Sequence, residues 1–247
     1  MSEAIVETKG LAKTFKDFWF RPVAEAVRGV DLAVEKGDVF GLLGPNGSGK
    51  STTIKMLLGL VKPTAGEIRL FGLPPRDRRA RARLGYLPEL SYLHPFLTAR
   101  ETILYYAGLS RMPRREAKAR AEELLATVGL KGNEDRPVGG FSKGMARRVA
   151  FASALVAHPE LLVLDEPTSG LDPIGTREVK DLVLRLAKGG MTVLITSHQL
   201  FDMQDICSRV AILSHGRVVG GGRVADIVAR ASDKRHALED YFAEVVA

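Results

Sequence analysis

Apolar positions along the chain fall into two patterns, and where each occurs predicts the elements. Near the start, Ile5 to Thr8, Val30 to Val34 and Val39 to Leu43 are alternating or continuous apolar runs of strand length. Gly37-Asp38 marks a turn between the last two. Thr53 to Leu60 carries helical spacing through Ile54, Met56, Leu57 and Leu58. Pro63-Thr64-Ala65-Gly66 then turns the chain into a strand over Glu67 to Phe71. From about Thr98 to Ala157 apolar residues recur three to four apart, as in Leu104, Tyr105 and Leu109, then Ala121, Leu124, Leu125 and Val128, then Val149, Ala152, Leu155 and Val156. Strand character returns at Leu161 to Leu164 and at Thr192 to Thr196, around a helix carrying Val179, Leu182, Val183 and Leu186. Strands over Val210 to Ser214 and Arg217 to Val219 follow, joined by His215-Gly216, and Ala225 to Val246 closes the chain with helix formers. Parallel strands alternating with helices, interrupted by a helical stretch, predict an α/β fold with two subdomains.

Composition narrows the class. With 247 residues, 45% of them hydrophobic, the chain can bury a sizeable core. No run approaches the roughly 18 apolar residues that cross a bilayer, and Met1-Ser2-Glu3-Ala4 is not a basic-then-apolar leader. The single Cys207 excludes an internal disulfide and fits a reducing compartment, so the expectation is a soluble cytoplasmic protein. Formal net charge is +7, and part of the excess sits at Arg76, Arg78, Arg79, Arg81 and Arg83. Such a block binds nucleic acid or an anionic membrane, or is a solvated helix face. The last reading is preferred, because no aromatic residue interleaves the arginines as a stacking surface requires.

The strand Val39 to Leu43 runs directly into Gly44-Pro45-Asn46-Gly47-Ser48-Gly49-Lys50-Ser51-Thr52, where a helix opens. Strand, glycine-rich loop and helix make the phosphate-binding Walker A arrangement. The glycines let backbone N–H groups wrap a phosphate chain closely, and the helix start adds the positive end of its dipole. Lys50 is expected to reach the β- and γ-phosphates and Ser51 to ligate Mg²⁺. Leu161-Leu162-Val163-Leu164-Asp165-Glu166 is a buried strand ending in two carboxylates, where a parallel sheet faces its ligand crevice. Asp165 suits Mg²⁺, through water, and Glu166 suits orienting or deprotonating an attacking water. The alternative is that the acids cap a following helix.

Phe141-Ser142-Lys143-Gly144-Met145 narrows the field further, because it resembles the signature motif of ABC transporter nucleotide-binding domains, usually LSGGQ. Ser142 and Gly144 keep the positions that, in this family, bind the γ-phosphate of ATP held by the opposite subunit. Phe141, Lys143 and Met145 depart from the usual residues, and the pentapeptide taken alone reads equally as a capped helix start. Other segments follow in family order. Ser169-Gly170-Leu171-Asp172 resembles the D-loop at the dimer interface. Thr196-Ser197-His198 resembles the switch histidine; taken alone, His198 reads as a surface loop residue. Tyr86-Leu87-Pro88-Glu89 lies where the family has its Q-loop, with Glu89 replacing glutamine; Glu89 either ligates Mg²⁺ or caps the downstream helix. Phe15 stands at the position of the adenine-stacking aromatic, and either it or one of Phe18, Trp19 and Phe20 serves there, unless those three pack locally.

The resemblance covers about residues 5 to 225. It implies a P-loop NTPase (RecA-like) core with an antiparallel β portion and an inserted α-helical subdomain: core over 1–85 and 160–225, helical subdomain over 86–159, helical tail over 226–247. It implies an ATPase with Glu166 and His198 as catalytic residues. Phe15, Gly44, Pro45, Asn46, Gly47, Ser48, Gly49, Lys50, Ser51, Thr52, Ser142, Gly144 and Asp172 would bind ATP, and Ser51, Glu89 and Asp165 would bind Mg²⁺. A homodimer or heterodimer of such subunits, head to tail, would work on a separate membrane permease at the cytoplasmic face, with export the implied direction from the YLPE and FSKGM forms. The surface around Tyr86 to Tyr106, with Leu90, Tyr92, Leu93, Phe96 and Leu97, would receive a permease helix, unless these residues form subdomain core. An ABC-type ATPase acting on nucleic acid or ribosomes is the alternative. The chain lacks the long coiled-coil insertion, zinc-binding cysteines and second ATPase domain of such proteins, so no nucleic-acid partner is expected. A non-hydrolysing regulatory subunit would be expected to lack Glu166 or His198.

Overall fold

The computed structural model describes residues 3–246. The first strands, β1 (Ala4–Lys16) and β2 (Pro22–Glu35), form a long antiparallel hairpin, and β4 (Ala65–Leu70) adds to the other edge of β1. This three-stranded sheet is the antiparallel portion that the resemblance implies. The long segment after Phe15 is the hairpin's tip, where Asp17 Oδ1 accepts from the amides of Trp19 and Arg21, each at 2.8 Å.

The second sheet has six strands in the order β5 (Leu84–Leu87), β6 (Leu161–Asp165), β7 (Thr192–Ser197), β3 (Val39–Leu43), β8 (Arg209–Ser214) and β9 (Arg217–Arg223). All neighbours are parallel except β8 and β9. Its central strands read as continuous apolar runs because both faces are covered. Leu162 and Leu164 of β6, with Val193 and Ile195 of β7, pack into the core shared with the helical region. Their alternates Leu161, Val163 and Leu194 pack with Ile54, Met56 and Leu57 under the antiparallel sheet. Side chains alternate across a strand, so a one-residue slip would exchange the two cores.

Helix α1 (Lys50–Leu57) follows β3, and the short α2 (Arg78–Arg81), capped by Asp77, precedes β5. The helical region comprises α3 (Ala99–Leu109), α4 (Arg114–Thr127) and α5 (Lys143–Leu155). Gly85 lets α5 sit close on β5, since a Cβ there would overlap the Ala154 carbonyl oxygen. Helices α6 (Pro173–Lys188) and α7 (Leu200–Ile206) flank β7. The closing helical run is broken into α8 (Val224–Arg230) and α9 (Ala237–Val246). Gln204 of α7 takes up the break, donating to Lys234 O at 2.9 Å and accepting from Leu238 N at 2.9 Å. Among the described residues, no helix is long and apolar enough to cross a membrane.

Candidate functional site

The loop between β3 and α1 is shaped by its glycines. Gly49, the residue before the helix, has φ of 108°, and a Cβ there would overlap the Ala26 carbonyl oxygen. A Cβ on Gly44 would overlap Leu213 O, so the loop lies directly on β2 and β8. No side chain caps α1, and its first turn holds no acid. The Ser48 hydroxyl is buried without a hydrogen-bond partner. Lys50, also buried, turns back into the loop and donates to Gly44 O at 2.6 Å and Pro45 O at 3.3 Å. An uncapped helix start, an orphaned hydroxyl and an inward ammonium are the parts of an anion cradle.

At the end of β6, Asp165 Oδ1 accepts from Thr196 Oγ1 at 2.6 Å. Glu166 leaves the strand with φ of 46°, a left-handed conformation unusual for a residue with a side chain. Its amide donates to Thr196 O at 3.2 Å and to Thr196 Oγ1 at 3.1 Å. The Glu166 carboxylate is only 9% exposed and lies between two cations or donors. Oε1 is 3.6 Å from Lys50 Nζ, and Oε2 is 2.9 Å from His198 Nδ1. His198 is thus tied to Glu166, although its ring is half exposed.

Lys50, Glu166 and His198 border one cleft of about 610 Å³, lined by Asn46 to Thr52 together with Phe15, Glu89, Glu166, Ser169 and His198. Phe15 lies at its edge. Phe18, Trp19 and Phe20 do not line it; they stand exposed at the hairpin tip, with Trp19 72% exposed. Glu89 faces the cleft and does not cap α3, which Thr98 and Glu101 close with a capping box. Asp165 is buried and does not line the cleft.

Ser142, Gly144 and Asp172 lie outside this cleft. Ser142 is exposed at the start of α5, its hydroxyl accepting from Met145 N at 3.2 Å. Asp172 is the one nucleotide-binding candidate whose carboxylate the structure commits elsewhere: Oδ1 caps α6 through Gly175 N at 2.6 Å, and Ser169 of the same loop borders the cleft instead.

One residue was not singled out by motif, namely Arg147 of α5. Its guanidinium is buried against the carbonyls of residues 165 to 167 and of Pro88 and Glu89. Burial pushes its pKa down to about 10, so it remains charged at neutral pH. Its signal in the sequence is spacing: Arg147 lies four residues before Phe151, on the inward face of an amphipathic helix.

The donor set fits a magnesium nucleotide. Among the described residues no cluster of three or more His, Cys, Asp or Glu side chains could hold a metal on its own. Mg²⁺ needs no such cage, since one or two protein oxygens plus substrate phosphates and waters complete its octahedron. Ser51, Asp165 and Glu89 are hard oxygen donors of the right kind.

Residues 27–169 match the sequence profile of the ABC transporter family. An uncharacterized ABC transporter ATP-binding protein of Synechocystis sp. is 40% identical over 227 residues, a span of 91% of this chain and 64% of the relative. The chain therefore spans less than two thirds of that relative's length. The Nod factor export ATP-binding protein I of Burkholderia orbicola is 39% identical over 224 residues, 90% of this chain and 72% of the relative. A dimeric ATP-binding cassette solved in a post-hydrolysis state with ADP and Pi superposes with a TM-score of 0.79 at 27% identity, covering 89% of this chain and 98% of the other.

Proposed function

The chain belongs to the ABC transporter family, as an ATP-binding subunit, and from that premise we propose that it hydrolyses ATP in a head-to-tail pair to drive export through a separate membrane-spanning subunit. The observation that carries this reading is the position of the Glu166 carboxylate between Lys50 and His198, beside an uncapped helix start.

In this reading the amides of residues 46 to 52 and Lys50 hold the phosphates of ATP. Lys50 exchanges its contacts with Gly44 O and Glu166 for phosphate oxygens, which releases one carboxylate oxygen of Glu166 towards water. Glu166 then orients or deprotonates the attacking water, and His198 keeps the carboxylate aimed. Bound Mg²⁺, held by Ser51, by Asp165 through water and by Glu89, would supply charge neutralisation on the phosphates. Phe15 faces the adenine. Ser142, exposed at the start of α5, and the half-buried Gly144 serve the ATP of a second copy. Residues 1–85 and 160–225 act as the catalytic core, 86–159 as the arm that presents Ser142, and 226–247 as a tail.

The membrane subunit docks at the groove between β5 and the helical region. That groove has a volume of about 280 Å³ and is lined by Tyr86, Leu87, Tyr92, Leu93, Tyr106 and Leu109 among others. Tyr92 stands exposed in this lining, Leu90 and Phe96 are exposed on the same segment of chain, and Leu93 packs on the core. Docking there would hold the subunit at the cytoplasmic face of the membrane. The nucleic-acid alternative is disfavoured by how the arginine block is used: Arg79 pairs with Asp77, and Arg83 pairs with Glu160 and stacks on Phe71.

The test is Glu166→Gln. Removing the base while keeping the side chain's shape should lower turnover by about 10²–10⁴-fold, the usual contribution of a general base, and leave ATP binding intact. Steady-state phosphate release and equilibrium nucleotide binding measure the two separately. Undiminished release would remove Glu166 from the reaction.

A further inference from the structure

We infer that Arg147 is a positioning residue that locks the loop carrying Glu89 to the turn carrying Glu166, so that the two move as one unit. The inference rests on the reading of Glu166 as the catalytic base and extends it to a residue outside the cleft.

The geometry is a hub. Arg147 is 8% exposed, and its side chain makes six hydrogen bonds. Nε donates to Pro167 O at 3.0 Å, and Nη2 to Asp165 O at 3.2 Å and Glu166 O at 3.0 Å. Nη1 donates to Pro88 O at 2.7 Å, Glu89 O at 2.9 Å and the Ser91 hydroxyl at 3.2 Å. The acceptors come from two segments more than 70 residues apart in sequence, counting from Ser91 to Asp165. The direct partners of Arg147 are five main-chain carbonyls and one hydroxyl, so the geometry of its fork decides which loops it joins, while the nearby Asp165 and Glu89 carboxylates favour its charge. A planar guanidinium with five fixed N–H donors can serve two loops at once, whereas a lysine ammonium presents three donors from a single point.

What this shape holds is strained. Glu166 keeps its left-handed φ only while its neighbours over-determine it. Thr196 fixes the amide of Glu166, and Arg147 fixes its carbonyl. With both ends of the residue held, the carboxylate is aimed at Lys50 and His198. The same guanidinium grips Pro88, Glu89 and Ser91, and Pro88 and Ser91 line the groove between β5 and α5. A displacement of that loop therefore pulls on the base through a single side chain. Ser142 begins the same helix five residues earlier, so α5 carries the hub and the outward-facing serine on one rigid rod.

The experiment compares Arg147→Lys and Arg147→Met with the unaltered protein. Both variants should lose about 10²-fold in kcat, the usual penalty for a catalytic group displaced by an ångström, with KM for ATP little changed because the Lys50 loop is untouched. In the nucleotide-free protein, the amides of Glu166 and Ser169 should exchange with deuterium faster, while β3 and β6 stay protected. Retained kcat, restoration by lysine, or a parallel loss of kcat, KM and thermal stability would each overturn the inference. If neither variant folds, Ser91→Ala supplies the test, because it removes one of the six Arg147 contacts, together with the weak bond of the Ser91 hydroxyl to Pro88 O at 3.4 Å within the same loop. Faster exchange at Glu166 and Ser169 is then expected, and unchanged exchange there overturns the coupling. Lys50→Ala run alongside separates the two readings: if it retains ATPase activity the proposed function fails, whereas the exchange result judges Arg147 on its own.

Discussion

Two helices in this chain begin with a serine-glycine segment, and they are left in opposite states. The start of α1 has no side-chain cap, is enclosed by β2 and β8, and lies against a buried lysine and a buried hydroxyl without a partner. The start of α5 is capped by its own Ser142 and faces solvent. An uncapped, enclosed helix start leaves backbone donors that only a ligand or water can satisfy. A capped, exposed one is stable alone and gains from an anion only if something brings that anion to it. On the proposed function, the difference corresponds to one half of a phosphate site built in and the other half offered outward.

The largest test of that contrast is Lys50→Ala. With the inward ammonium gone, ATPase activity should fall by at least about 10³-fold, at the upper end of what single electrostatic contacts contribute at such sites. Phosphate release measures it, and an unchanged rate would mean that α1 is not a phosphate site.

Ser142→Ala sharpens the other half. Loss of the cap should cost about 1 kcal/mol of stability. Nucleotide affinity of the isolated chain should be kept, while turnover drops by about 10²-fold as one anion donor is lost. Mixing this variant with Lys50→Ala makes the test geometric. In a head-to-tail pair the two lesions fall in the same composite site and leave the other site whole. Activity should then recover to roughly a quarter of normal, given random pairing of two-fold assemblies. No recovery on mixing would place both halves on one chain.

The aromatic residues give a smaller effect. Phe15→Ala should weaken ATP binding by about 0.5–1.5 kcal/mol, the scale of one stacking contact. Trp19 fluorescence should stay flat through the same titration, since its ring stands away from the cleft. A Trp19 response at saturating nucleotide would bring the hairpin tip into the site.

Much of this site was legible because its signals are local. The apolar run Val39 to Leu43, the glycines and Lys50 lie within a dozen residues, and the buried strand before Asp165 and Glu166 is equally compact. Phe15 could not be separated from Phe18, Trp19 and Phe20 without the hairpin register, which points the last three into solvent. Strand β5 has four residues behind an arginine block, and α7 buries only Met203 and Ile206, so neither shows a clear period. Arg147 was hidden for a deeper reason: its six acceptors belong to two loops that meet only after the sheet has formed. Asp172 resembles a D-loop residue by position, and the same residue type before a proline is also a good helix cap, a use that its carboxylate makes here.

The smallest effect is expected at the opposite end of the strand that carries the acids. Just before β6, Glu160 accepts two hydrogen bonds from Arg83, at 2.5 and 2.7 Å. The guanidinium holds the Glu160 carboxyl below its usual range. A depressed carboxylate contributes stability that is present above the unfolded-state pKa, near 4.5, and is lost as pH falls through the lower folded value. Both side chains are well exposed, at 39% and 47%, so water screens the pair and its contribution is at most about 1 kcal/mol. Glu160→Gln should therefore lower the thermal midpoint slightly at pH 7, and the gap from the unaltered protein should close below pH 4. ATPase activity should not change, because Glu160 lies at the end of β6 away from the cleft. A change in turnover would tie the arginine block to the catalytic end of the sheet and weaken the division between a built-in site and an outward one.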